Sequence, residues 1–183
     1  MNTLPQPITP SVPSYVRGPR TLLLAALALG LAAPAFADRN VMPARVLPAY
    51  QQECASCHSA YPPGMLPRPS WSRIMGGLDK HYGTDASIDE PTVRQIAAWL
   101  DANAGTYKRT GTEAPPQDRI TRSAWFERKH RRLDAPVWKL PSVKSAANCA
   151  ACHTGADQGD FSDHSLRIPA GLDPRYRRFW EDD

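Results

Sequence analysis

The chain has 183 residues, with 22 Lys and Arg against 18 Asp and Glu and a formal net charge of +4. That balance, with no recognised nucleic-acid motif, excludes a nucleic-acid binder. Only 42% of residues are hydrophobic and 19 are proline, so a large self-sufficient core is excluded too.

The N-terminus reads as an export signal. Arg17 and Arg20 precede an apolar run from Leu22 to Ala33, Pro34 breaks it, and Ala35-Phe36-Ala37 gives a small-x-small cleavage pattern. The run falls short of the roughly 20 residues that cross a bilayer, so a cleaved peptide over 1–37 is expected rather than an anchor. No later segment is hydrophobic enough to replace it.

After a lead from Asp38 to Pro48, a short helix is predicted from Ala49 to Cys57. It carries Cys54-Ala55-Ser56-Cys57-His58. A Pro-rich loop follows, with Pro62, Pro63, Pro67 and Pro69. Ser70 is then read as the N-cap of a helix over Trp71–Tyr82, with Ile74, Leu78 and His81 on one face. Gly83 ends it. A further helix runs from about Asp89 to Asn103, with Val93, Ile96, Ala97 and Leu100 as its buried stripe. Residues 107–117 form a polar linker with Pro115-Pro116, and a domain boundary is placed there: 38–106 on one side, 118–183 on the other.

In the second half a helix is predicted over Ser123–Leu133. Phe126, His130 and Leu133 share one face, and Arg128, Lys129, Arg131 and Arg132 lie on another. A last helix, about Ser142 to Cys152, carries Cys149-Ala150-Ala151-Cys152-His153. The tail from Ser165 reads as an irregular strap. No segment suggests a strand pair, so the fold class is mostly α, with long loops.

The two pentapeptides decide the chemistry. Both are C-x-x-C-H, the attachment signature of c-type haem. Two thiols add to the two vinyl groups of one haem, and the adjacent His reaches its iron. The chain has four Cys, and all four lie in these motifs. A zinc ribbon needs its Cys pairs much closer together, and a thioredoxin-like pair needs a βαβ setting. Two covalent haem c groups are therefore expected, held by Cys54 and Cys57 and by Cys149 and Cys152, with His58 and His153 on the irons. Attachment takes place outside the bacterial cytoplasm, in keeping with the leader and a periplasmic address. Each haem also supplies apolar surface that a small half can fold around, so the apoprotein is expected to be poorly folded.

Three histidines remain for the sixth positions: His81, His130 and His164. His81 is read as the distal ligand of the first iron and His130 of the second. His164, between Asp163 and Ser165, is the reserve for either. Met65 and Met75 are rivals at the first iron, and a Met ligand there would raise the reduction potential. With both irons closed no substrate binds, and an electron carrier rather than an enzyme is expected. A dihaem peroxidase or a gas-binding protein with one open iron is the alternative. The basic face near His130, with Arg175, Arg177 and Arg178, is a candidate docking surface.

Beyond the haem motifs, the chain resembles the periplasmic dihaem cytochromes c across nearly all of residues 50–170. The likeness rests on the run from Cys54 to Pro67, on Pro69-Ser70-Trp71, and on His81-Tyr82-Gly83 with Asp85-Ala86-Ser87. It continues in Trp125-Phe126, His130-Arg131 and Ala146 to His153, then in Gly155 to Phe161 and Arg167-Ile168-Pro169. The resemblance implies two haem domains. The first is a variant of the small cytochrome c fold, and the second is a small loop-rich arrangement of its own. It implies bis-histidine irons close enough for rapid exchange. It also implies electron donation to an oxygen-binding, high-spin c-type cytochrome, with a membrane cytochrome b as the source of electrons from quinol.

Overall fold

In a computed structural model of the protein, residues 41–177 are described. The expected signal peptide and Arg178 lie outside them. Among the described residues the structure is helical, with no strand and two isolated bridges, His81 with Thr84 and His153 with Leu166. No described helix is long and apolar enough to cross a membrane.

Helix α1 (Pro48–Cys54) starts on a proline, whose missing N–H costs nothing in a first turn. It ends at Cys54, so the first haem motif leaves the helix at its first cysteine rather than running within it to Cys57. Helix α2 (Arg68–Met75) starts earlier than predicted, with Pro69 in its first turn. Pro67 is the N-cap, and Ser70 lies inside the helix, buried, rather than capping it. The helix also stops early. Gly76-Gly77 carries the chain out of it, and a 3-10 turn at Leu78–Lys80 follows. His81 therefore sits at the end of that turn, not on a continuous helical face with Ile74.

Helix α3 (Glu90–Asn103) matches its prediction. Asp89 caps it by accepting from the Thr92 N–H at 3.0 Å, and Ile96 and Leu100 are buried. Helices α1 and α2 pack on α3, and Tyr50, Ala60, Leu66, Trp71, Met75, Ile96 and Leu100 form one apolar cluster. The Trp71 Nε1–H donates to the Pro63 carbonyl at 2.7 Å, which satisfies the polar atom of a buried ring.

The segment from Tyr107 is fastened at its start. The Tyr107 N–H and the Thr110 hydroxyl both donate to the Gly64 carbonyl, at 3.2 and 2.8 Å. Helix α4 (Ala124–Lys129) is shorter than the expected Ser123–Leu133: Ser123 caps it, and His130 closes it with its N–H on the Phe126 carbonyl, so Leu133 lies beyond the helix. Helix α5 (Ala135–Trp138) follows. The helix expected over 142–152 does not form. Lys144 takes a positive φ of 68°, the Asn148 side chain donates to the Val143 carbonyl, and the Ser145 hydroxyl accepts from the Ala147 N–H. Such local side-chain bonds compete with a helical ladder. Only the turn Cys149–Ala151 is helical, as 3-10. The tail is more ordered than a strap: helix α6 (Pro174–Arg177) brings Tyr176 and Leu172 against Val137.

Residues 41–177 belong to one compact unit. Residues around the two haem motifs touch directly. The Ser59 hydroxyl donates to Asp157 at 2.6 Å, the Tyr61 hydroxyl to the Ala147 carbonyl at 2.7 Å, and the Val41 N–H to the Gly159 carbonyl at 3.0 Å.

Candidate functional site

Four of the five histidines are brought into two pairs. The ring centroids of His58 and His81 lie 6.1 Å apart, and those of His130 and His153 lie 6.3 Å apart. Two imidazoles that bind one metal from opposite sides, each with nitrogen about 2 Å from it, place their centroids about 6 Å apart. Rings that stack directly come closer, as Phe126 and His130 do at 4.0 Å. His164 is exposed in the 3-10 turn Asp163–Ser165. Met65 and Met75 are buried, Met75 within the apolar cluster of the first half.

The nitrogens are also sorted. His58 Nδ1 lies 2.7 Å from the Ser59 carbonyl oxygen, and His130 Nδ1 lies 2.9 Å from that of Phe126. A carbonyl only accepts, so Nδ1 carries the proton and Nε2 keeps the lone pair a metal needs. In His81 and His153, Nδ1 is buried without a hydrogen-bond partner, so no hydrogen bond sets the tautomer of these two rings. Burial and the neighbouring His58 lower the His81 pKa. Burial, then Lys129, outweighs the Phe126 carbonyl and lowers that of His130. Burial and the nearby His130 push His153 down to about 4. These rings are neutral at neutral pH, which is the metal-binding form.

The four sulfurs are not paired into disulfides. Burial raises the thiols of Cys54 and Cys149 to about 11 each and raises Cys152 as well. Such thiols are poor nucleophiles, unlike the depressed thiolates of redox enzymes. Paired imidazoles, flanked by thiols outside any disulfide, fit an iron whose equatorial ligands come from a covalently attached macrocycle.

Comparison with known proteins agrees. A family model described as dihaem cytochrome c matches residues 50–161. The chain belongs to the dihaem cytochrome c family. It is 41% identical to a diheme cytochrome c from Rhodobacter sphaeroides, with 63% of this chain and 97% of that one covered and a TM-score of 0.56. It is 43% identical to a second structure of DHC purified from Rhodobacter sphaeroides, covering 64% and 98%, at a TM-score of 0.55. With the diheme cytochrome type c from Shewanella baltica the identity is 34%, over 67% and 93%, and the TM-score is 0.59. No curated protein matches the chain.

As a dihaem cytochrome c, the protein binds two haem c groups covalently through its cysteines, and its role is haem-based electron transfer. Several residues that shape the sites were not singled out from the sequence. Tyr61 lies along His58, with centroids 5.0 Å apart and planes 26° apart. Burial, then the neighbouring Cys149, pushes its phenol up to about 12, so it stays protonated and donates to Ala147. Arg167 clasps the second motif: its guanidinium donates to the Ala150 and Ala151 carbonyls at 2.8 and 3.2 Å, and its N–H to Cys152 at 2.8 Å. A tyrosine three residues after a haem histidine is a visible signal for the first. Nothing in the sequence points from Arg167 back over the 15 residues to Cys152.

Proposed function

We propose that the protein is a periplasmic electron carrier in which His58 with His81, and His130 with His153, close both irons axially. The observation that carries this reading is the pair of centroid separations, 6.1 and 6.3 Å, each the span of two imidazoles on one metal. Cys54 and Cys57 hold the first haem, and Cys149 and Cys152 the second. One half, residues 38–106, carries the first site and the other, residues 118–183, the second. Their motifs meet through Ser59, Tyr61, Ala147 and Asp157, which favours exchange between the two haems.

Closed irons leave no position for a substrate, so the protein is not an enzyme. Its bis-histidine ligation holds the potentials below those of Met-ligated haems. Electrons enter from a quinol-linked membrane cytochrome b and leave to a soluble, oxygen-binding, high-spin c-type cytochrome. The exposed Arg128, Arg131 and Arg132, beside His130, with Lys129 at 3.9 Å from Asp163, form a basic docking face for an acidic partner. Arg175 belongs to the fold instead, bonded to Tyr176 and paired with Asp134 and Asp173. The leader at 1–37 exports the chain.

Carbon monoxide titration of the exported, reduced holo-protein tests the reading. An unchanged spectrum is expected. Rapid binding at one haem would replace the carrier with a peroxidase-like or gas-binding protein that keeps one iron open.

A further inference from the structure

The two histidine pairs differ in orientation. The planes of His58 and His81 are nearly parallel, at 17°, whereas those of His130 and His153 stand at 75°. Each pair also has one anchored ring. His58 has Nδ1 on the Ser59 carbonyl and lies along Tyr61. His130 has Nδ1 on the Phe126 carbonyl and lies on the Phe126 ring, 4.0 Å away at 23°, with the Trp138 ring at 5.8 Å and 61°. The partner rings lack the hydrogen bond, because Nδ1 of His81 and of His153 has no partner, and meet their aromatic neighbours edge-on, His81 with Tyr82 at 4.9 Å and His153 with Phe161 at 5.6 Å. The anchored ring is thus the motif histidine at the first site and the helix-borne histidine at the second. At the second site one residue, Phe126, supplies both the carbonyl and the stacking ring.

Axial ligand geometry is one of the protein's levers on a haem. Two parallel imidazoles donate into the same π-type d orbital of the iron and split it from its partner. Crossed imidazoles donate into one each and leave the two nearly equal. In the ferric low-spin state, the first arrangement gives a rhombic electron paramagnetic resonance spectrum. The second gives a strongly anisotropic one, dominated by a single large-g feature.

We infer that Phe126 is a positioning residue that holds His130 across the plane of His153, so that the two irons are spectroscopically distinct: the first rhombic, the second strongly anisotropic. The inference rests on the pairing proposed above and deepens it.

Low-temperature electron paramagnetic resonance of the oxidised holo-protein tests it. Two low-spin signals in equal amounts are expected, one rhombic and one with a large-g feature. Two rhombic signals, or two large-g signals, would overturn the inference while leaving the pairing intact. A high-spin signal from either haem would instead overturn the pairing. Phe126→Leu, which removes the ring, should shift the large-g feature and spare the rhombic signal, whereas Phe126→Tyr, which keeps a stacked ring, should spare both. A large-g feature unmoved in Phe126→Leu would refute the role of Phe126. His81→Met provides an assignment that does not depend on that variant folding. It should shift the rhombic signal and leave the large-g one unmoved, and the reverse result would overturn the inference.

Discussion

Tyr61 allows the join between the two haem motifs to be weighed one atom at a time. Tyr61→Phe removes only the hydroxyl and leaves the ring beside His58. The lost bond is neutral, 2.7 Å long and half-buried. The Ala147 carbonyl is not orphaned, because it also accepts from the Cys149 N–H at 3.0 Å. The cost should therefore fall at the low end for a hydrogen bond, about 0.5–1 kcal/mol. Tyr61→Ala also removes the ring, which packs against the first apolar cluster and lies 5.0 Å from His58. Truncation of a core aromatic costs about 3–5 kcal/mol, and for this partly buried ring the low end, about 3 kcal/mol, applies. Urea unfolding of the holo-protein, followed by far-ultraviolet and Soret circular dichroism together, separates the two. With a slope of about 2 kcal/mol per molar urea, Tyr61→Phe should lower the midpoint by less than about 0.5 M and Tyr61→Ala by about 1.5 M. Equal losses in the two variants would mean that the hydroxyl, not the ring, carries the contact, and would refute this apportionment.

Gly64→Ala would place a Cβ 2.6 Å from the Thr106 hydroxyl and 2.9 Å from the Tyr107 nitrogen, itself bonded to the Gly64 carbonyl. The hydroxyl can rotate away but the backbone cannot, so thermal melts should record a loss of about 1–3 kcal/mol. Asp118 accepts from the Nε and a terminal nitrogen of Arg73, at 2.9 and 2.6 Å, and the bonds from Arg73 hold its carboxyl below the ordinary aspartate range. A depressed folded-state pKa gives stability that is present above the unfolded value of about 3.9 and lost as pH falls through the folded one. Asp118→Asn should therefore be less stable than wild type at neutral pH, and the gap should close at acid pH; a gap that widens there contradicts the sign. Arg167→Ala should lower the stability of the second haem site by about 1 kcal/mol, read from Soret dichroism. Arg167→Lys should recover little of it, because an ammonium lacks the fork that reaches the Ala150 and Ala151 carbonyls together.

What the sequence disclosed follows from how local each signal is. The haem motifs and the α3 stripe of Val93, Ile96, Ala97 and Leu100 are short-range patterns, and α3 forms over Glu90–Asn103 with Ile96 and Leu100 buried. Phe126 and His130 are four residues apart, and one helical turn is enough to bring them together. His81 was placed beside His58 although the helix drawn to carry it was too long. The Gly76-Gly77 exit and the turn at 78–80 still deliver the ring to within 6.1 Å of His58, centroid to centroid. The helix drawn over 142–152 failed for the opposite reason. Its apolar and small residues fit a helical pattern, but Ser145 and Asn148 bond their own backbone instead. The contacts from Tyr61 to Ala147 and from Ser59 to Asp157 span 86 and 98 residues, beyond the reach of any local pattern.

The two halves differ in what holds them without haem. The first has a connected apolar cluster that runs through three helices, with Ile96 and Leu100 almost fully buried. Among the described residues, the buried cluster in the tail of the second half consists of Val137, Leu172 and Tyr176, with Leu133 and Leu140 at its edge. Its other buried apolar residues are Val143, Phe126, Ala151 and Ala156, and the last three lie close in sequence to His130, Cys152 and His153. Burial is worth about 25 cal/mol per Å² of apolar area, so a cluster of that size offsets the ordering entropy of only a short stretch of chain. The macrocycle must supply the rest of the second core, and its covalent attachment makes that supply independent of concentration. Protein made without haem attachment should then keep helical signal from α1 to α3 while the amides of residues 118–177 exchange quickly with solvent. Hydrogen exchange that protects both halves equally in the apoprotein would show that the second half has a core of its own.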